Sequence, residues 1–150
     1  DDNIVADLLT PYRFLINGEE VEKRFAGGLL GHWAIWTKKA VQLLEEIRNC
    51  ISGNYSGVRE LLAHGVKVTD MNAVIFDAEN AFRGCIPAIH EVLRRQGFLR
   101  GRWCLNPDEE LSRGKLEEID RLYKDYACLT DDEFVKEFFE EDGRNNDLIK

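Results

Sequence analysis

No run of apolar residues in this sequence approaches the ~18–20 that a membrane-crossing helix requires, so no membrane partner is expected. No signal peptide is visible either. Clustered lysine and arginine are missing too: the nearest approach is Arg94, Arg95, Arg100 and Arg102, diluted by Gln96, Gly97, Phe98 and Leu99. With a net charge of −8, the surface is wrong for neutralising phosphates, and no nucleic-acid partner is expected. The glycines Gly27, Gly28 and Gly31 fit no phosphate-loop spacing. Cys50, Cys85, Cys104 and Cys128 form no C-x-x-C and no Cys/His pair at metal spacing, so neither a metal nor another cofactor is expected. Their number permits two disulfides, but each lies in an apolar run. Buried, reduced thiols in a cytoplasmic protein are the expectation. An initiator methionine is missing as well: the chain opens on Asp1 and its one methionine is Met71, which implies a fragment or a trimmed form.

What is present describes a folded helical chain. Its 150 residues are 44% hydrophobic, enough for a sizeable core, and the 32% that are charged are well mixed along the sequence. Ile4, Val5, Leu8 and Leu9 share a face of a short helix that Thr10-Pro11 ends. Asn17-Gly18 marks a turn, and the apolar run Arg24 to Leu30, closed by glycines, suits a buried strand. From Trp33 to Ile51 the spacing is helical, with Trp36, Ala40, Leu43, Leu44, Ile47 and Ile51 on one stripe. A short helix is expected from Ser56 to His64, ended by Gly65. Thr69 or Asp70 then caps a helix to about Phe82. Further helices are expected over Ile86 to Gln96, with Pro87 as its first helical residue, over Ser112 to Tyr126, and over Phe134 to Glu140 behind the capping box Thr130-Asp131-Asp132-Glu133. The segment Trp103 to Pro107 reads as an extended linker, and the polar tail 143–150 as frayed. Trp33, Trp36 and Trp103 are expected to pack a core or an interface.

A single buried strand cannot satisfy its own backbone. Either Arg24 to Leu30 pairs with a partner outside this chain, or it is a loop. Helix, strand, long helix is the order met on entering a repeating β/α unit partway through, which points to a (β/α)₈ barrel needing ~250 residues.

Short motifs in order add to this. They are Ile75-Phe76, Asn80, Pro87, the helix Ile89-His90-Glu91-Val92-Leu93, Gly97 and Gly101, Arg102-Trp103-Cys104-Leu105, and Pro107 with Leu111-Ser112. Upstream stand Asp1-Asp2 and the run Gly27-Gly28-Leu29-Leu30-Gly31. Together they resemble the C-terminal portion of the dihydrodipicolinate synthase/N-acetylneuraminate lyase family, over nearly the whole chain. Two departures, Gly31-His32-Trp33 after the expected strand and Asn80-Ala81 in place of Asn-Pro, leave the substrate open.

The resemblance implies a mainly α fold: the last βα units of a TIM barrel over residues 1–52, then a C-terminal helical domain over 53–150. It implies class I aldolase chemistry, in which a lysine forms a Schiff base with a 2-oxo acid such as pyruvate. The family's lysine, its proton-relaying tyrosine and its carboxylate-binding loop all match positions upstream of Asp1. No catalytic residue is therefore expected in this chain, and the chain alone is expected to be inactive. Its implied contribution is a pocket wall of Gly28, Leu29, Leu30, Gly31 and His32, and the implied assembly is a homo-oligomer. Lys38 and Lys39 read as solvated helix positions, Lys23 lies before the expected strand, and His64 and His90 read as structural. The pairs Glu45-Glu46, Glu117-Glu118 and Glu140-Glu141 diverge on their helices and read as solvated. Two alternatives stay open: a stand-alone acidic helical domain that binds another protein, and a barrel paralogue that binds without cleaving.

Overall fold

The computed structural model describes residues 3–28 and 31–141. Helix α1 (Ile4–Leu9) buries Val5, Leu8 and Leu9 and stops where Thr10, ahead of Pro11, turns extended. Strands β1 (Tyr12–Ile16) and β2 (Glu19–Lys23) then form an antiparallel hairpin, with Ile16 opposite Glu19 and Tyr12 opposite Lys23. Asn17 and Gly18 both have positive φ, 52° and 86°, which is what a two-residue hairpin loop requires.

That hairpin overturns the expected barrel end. Among the described residues the sheet is two-stranded and antiparallel, whereas a barrel is built from parallel strands joined through helices. Nor is Arg24 to Leu30 a strand: Arg24 to Gly28 carries no sheet pairing, and Leu29 and Leu30 lie outside the described residues. The reason is local. An Asn-Gly turn returns the chain in two residues, so the segments on either side of it pair with each other.

A short helix, α2 (His32–Ile35), precedes α3 (Thr37–Ser52), with the chain breaking from helical geometry at Trp36, φ −123° and ψ 52°. Trp36 has no side chain that can cap α3. The cap comes instead from across the molecule: Asp131 accepts from the backbone N–H of Lys38 at 2.7 Å and of Lys39 at 2.9 Å. Helix α4 (Val58–Ile75) replaces the two helices expected around Gly65. Gly65 does not end a helix but sits inside one, where α1 crosses it: a Cβ there would lie 2.9 Å from the Cβ of Val5.

Asp77 ends the run in left-handed geometry, and a 3₁₀ turn (Ala78–Asn80) leads to α5 (Cys85–Arg95), in which Pro87 is the third residue rather than the first. Gly97 takes φ 87° behind α5, as expected of its glycine. Helix α6 (Lys115–Asp125) starts three residues later than expected, after Gly114 at φ 80°. A second 3₁₀ turn (Ala127–Leu129) and α7 (Asp132–Glu141) follow. The expected frayed tail, 143–150, lies outside the described residues. No helix among those described is long and apolar enough to cross a membrane.

Two apolar clusters hold the helices. One gathers Trp36, Met71, Ile75, Ala88, Val92, Ile119 and Leu122; the other gathers Val5, Leu8, Leu43, Ile47, Leu61 and Val68. Trp36 is fully buried, edge-on to Tyr123 at 6.3 Å between centroids. Trp103, by contrast, is 77% exposed, so the expectation that it packs a core fails within this chain. The four thiols are free, but only Cys50 is buried, and Cys128 is exposed.

Replacing Gly65 by alanine tests the crossing of α1 over α4. Alanine favours a helix interior by about 1 kcal/mol over glycine, yet overpacking a tight contact costs about 1–3 kcal/mol. Gly65→Ala is expected to lower unfolding stability in urea; a gain would show that the two helices separate freely.

Candidate functional site

The expected pocket wall falls largely outside the described residues. Gly28 lies in a stretch without sheet pairing, and Leu29 and Leu30 lie outside the described residues. Gly31 is buried at φ 63° under Asn72, whose Oδ1 would meet an added Cβ at 2.9 Å. His32 opens α2, and its side chain lies outside the described part of the structure. None of these residues lines the grooves described below.

One groove runs beside α5 and the irregular chain after it. It has a volume of about 690 Å³ and is lined among others by Pro87, Arg94, Arg102, Trp103, Cys104 and Glu109. Beside it lies Glu91, fully buried on α5. Arg94 grips this carboxylate with Nε and Nη2, both at 2.8 Å; Arg95 Nε donates at 2.8 Å, and Arg102 Nη1 stands at 3.5 Å. The Arg94 guanidinium holds the Glu91 carboxyl down at about 2, against the upward push of burial and with help from Arg95. Spacings of three and four on one helix make the pairing possible, and that signal was readable at Glu91, Arg94 and Arg95.

This groove brings a thiol near an imidazole. The Cys104 Sγ lies 3.9 Å from His90 Nδ1, the arrangement from which a thiol nucleophile would be built. Burial and the nearby Glu109 carboxylate raise the Cys104 thiol, the opposite of activation. The charges of Arg94 and Arg102 face the buried Glu91 carboxylate and the Glu109 and Glu110 of the groove's own lining, which leaves little net positive charge to hold an anion. Among the described residues no three His, Cys, Asp or Glu side chains are placed to hold a metal.

A smaller groove of about 400 Å³ lies between α3 and the start of α4, with Glu46, Asn49, Glu60 and His64 on its walls. Burial lowers the half-buried His64 imidazole from its ordinary value, partly opposed by Glu46. His90 and His64 are both on helices, as expected.

The most tightly bound polar centre was not foreseen. Asp77, fully buried in its left-handed turn, accepts from Asn80 Nδ2 at 2.8 Å, Gly84 N–H at 2.8 Å and Ser112 Oγ at 2.6 Å. Lys115 Nζ completes the set at 2.9 Å, with a side chain only 5% exposed. Burial pushes the Asp77 carboxyl up, but these four partners together hold it at about 2. Lys115 is the buried lysine among the described residues, and it is sealed into an ion pair. Lys38 stacks its Nζ over the Phe134 ring at 3.9 Å, and Lys23 is exposed. No described lysine combines an enclosed cavity with a free amine. No sequence signal separates Asp77 from the chain's other acids, because its partners come from three segments up to 38 residues away.

Compared with protein-family models, with curated proteins and with solved structures, the chain has no match in any of the three.

Asp77→Asn leaves Lys115 buried without its counter-charge, a change that typically costs about 3–5 kcal/mol. The variant is expected to unfold at clearly lower urea concentration than the parent; equal midpoints would mean that the pair contributes nothing. Acid should tell the same story. Asp77 and Glu91 have folded-state values near 2, below the ordinary 3.8 and 4.5, so their stabilisation is complete above those values. It should be lost as the pH falls from about 4.5 toward 2, and a urea midpoint flat across that window would contradict it.

Proposed function

We propose that this chain is the non-catalytic C-terminal part of a Schiff-base-forming lyase or aldolase that acts on a 2-oxo acid such as pyruvate, in a cytoplasmic homo-oligomer. The ordered motifs from Ile75-Phe76 to Leu111-Ser112 carry this reading. Their physical behaviour supports it. Ile75, Phe76, Ile89, Val92, Leu93 and Leu111 belong to one apolar cluster and its rim, and Ser112 bonds Asp77 directly after Phe76. Residues that resemble a family pattern thus serve one packed unit rather than a reactive centre.

In this reading the nucleophile comes from outside these 150 residues, in keeping with the sealed Lys115 and the surface positions of Lys23 and Lys38. The helical body then supports a catalytic partner segment instead of performing the reaction. A second reading, an acidic helical domain that binds another protein, is favoured by one observation: Phe14, Leu15 and Ile16 are at least half exposed on the hairpin.

Borohydride trapping with radiolabelled pyruvate separates the two. The 150-residue chain is expected to take up no label, and the longer native polypeptide is expected to take up one equivalent on a lysine outside this stretch. Label on this chain would sink the non-catalytic assignment. An unlabelled native polypeptide would remove the lyase and leave the binding domain, or a paralogue that binds without cleaving.

A further inference from the structure

The β1–β2 hairpin leaves a group of apolar side chains uncovered. Phe14, Leu15 and Ile16 are 50%, 78% and 51% exposed, and Phe25 nearby is 59% exposed. A two-stranded hairpin is marginal in water by itself; stability comes with three or more strands over an apolar face. The two outer edges differ in charge. Strand β2 carries Glu19, Glu20 and Glu22 against the single Lys23, a net negative edge, and like charges facing one another across a ladder repel. Strand β1 carries Arg13 alone, already 3.3 Å from Glu22 and 3.9 Å from Glu20. A second copy is thus repelled from the β2 edge and not from the β1 edge.

The turn decides which backbone groups β1 offers. A two-residue loop with both φ positive closes on a hydrogen-bonded pair, here Ile16 and Glu19. By alternation Phe14 and Tyr12 also bond toward β2, so the N–H and C=O of Arg13 and Leu15 point outward. Neither has a backbone hydrogen bond beyond the hairpin among the described residues.

We propose that two copies of this chain associate through β1, antiparallel about a two-fold axis at Phe14, into a four-stranded sheet. Arg13 of each copy then faces Leu15 of the other, and both pairs exchange two hydrogen bonds. A shift by two residues in one direction brings in Pro11, which has no N–H to give. In the other direction it brings in Asn17, whose φ of 52° takes it out of the strand. On one face Tyr12, Phe14 and Ile16 line up with Val21, which pairs with Phe14, and Phe25 lies edge-on to Tyr12 at 5.4 Å. The two Phe14 rings meet at the axis as a non-hydrogen-bonded pair, the closer kind. The apolar face is continuous across the dimer. This inference gives the homo-oligomer of the lyase reading an interface, but it rests on the hairpin and not on the lyase chemistry.

Sedimentation equilibrium of the 150-residue chain tests it. A dimer is expected that tightens as salt rises, because two copies of net charge −8 repel until they are screened. Leu15→Pro removes an outward N–H and spares the β1–β2 ladder; it should weaken the dimer by about tenfold or more. Phe14→Lys sets two like charges against each other at the axis and should weaken it comparably. Glu20→Pro makes the same backbone change on the outer edge of β2 and should leave the affinity within about twofold. A chain that stays monomeric at every salt concentration overturns the proposal, even if it captures some other protein. So does a dimer indifferent to Leu15→Pro and Phe14→Lys, or one that Glu20→Pro dissolves equally. Pyruvate labelling is not expected to follow any of these changes, so failure here and failure of the lyase reading are told apart.

Discussion

The structure depends on α4 remaining one helix through Gly65. Its first half puts Leu61 and Val68 among residues of α1 and α3, and its second half puts Met71, Val74 and Ile75 among residues of α2, α5 and α6. Each apolar cluster is small, and a small cluster offsets little of the chain entropy lost on folding. Joined by one rigid rod, the two order together. The glycine that allows α1 to approach also weakens the rod it lies in, by about 1 kcal/mol relative to alanine. The close Val5 contact is the compensation.

Three buried acids join segments that the apolar clusters alone would leave loose. Asp131 holds the start of α3 from the far end of the chain, Asp77 ties the end of α4 to the entrance of α6, and Glu91 gathers Arg94, Arg95 and Arg102 around α5. Buried charges persist when they are paired or hydrogen-bonded: Asp77 and Glu91 are both, and Asp131 accepts from two backbone N–H groups. The same satisfaction explains the quietness of the groove beside α5. Its arginines face carboxylates and its thiol is raised rather than lowered, so it has the shape of a site without reactive groups. A supporting role beside a catalytic segment agrees with that chemistry. Elsewhere, apolar side chains are uncovered on a hairpin whose strands have no further partners within the described chain.

Much of the helical pattern was legible from residue spacing. The stripe Ala40, Leu43, Ile47 is buried on α3, Ile119 and Leu122 are buried on α6, and Gly97 stops α5. The solvated reading of Glu45-Glu46, Glu117-Glu118 and Glu140-Glu141 also agrees with their exposure. Reading failed where a glycine or a turn had two uses. Gly65 looks like a helix end because an isolated chain gains most by stopping there; packing against Val5 reverses that preference. Asn17-Gly18 is a hairpin signal, and weighting the glycines after Arg24 instead moved the strand several residues downstream. The expected wall from Gly28 to His32 carried no local chemistry to test, so its place in a pocket rested on resemblance alone.

By itself, then, the sequence determined the number and phase of most helices, the turn at Asn17-Gly18 and the acidic surface, because these follow from neighbours three or four residues apart or from composition. Tertiary structure decided the rest: that α4 is continuous, that Asp131 caps a helix more than 90 residues away, and that Lys115 is neutralised by Asp77. An acid or a lysine has the same side chain wherever it stands. Whether it is a solvated charge, a cap or a sealed ion pair is set by which distant groups the fold brings within about 3 Å of it.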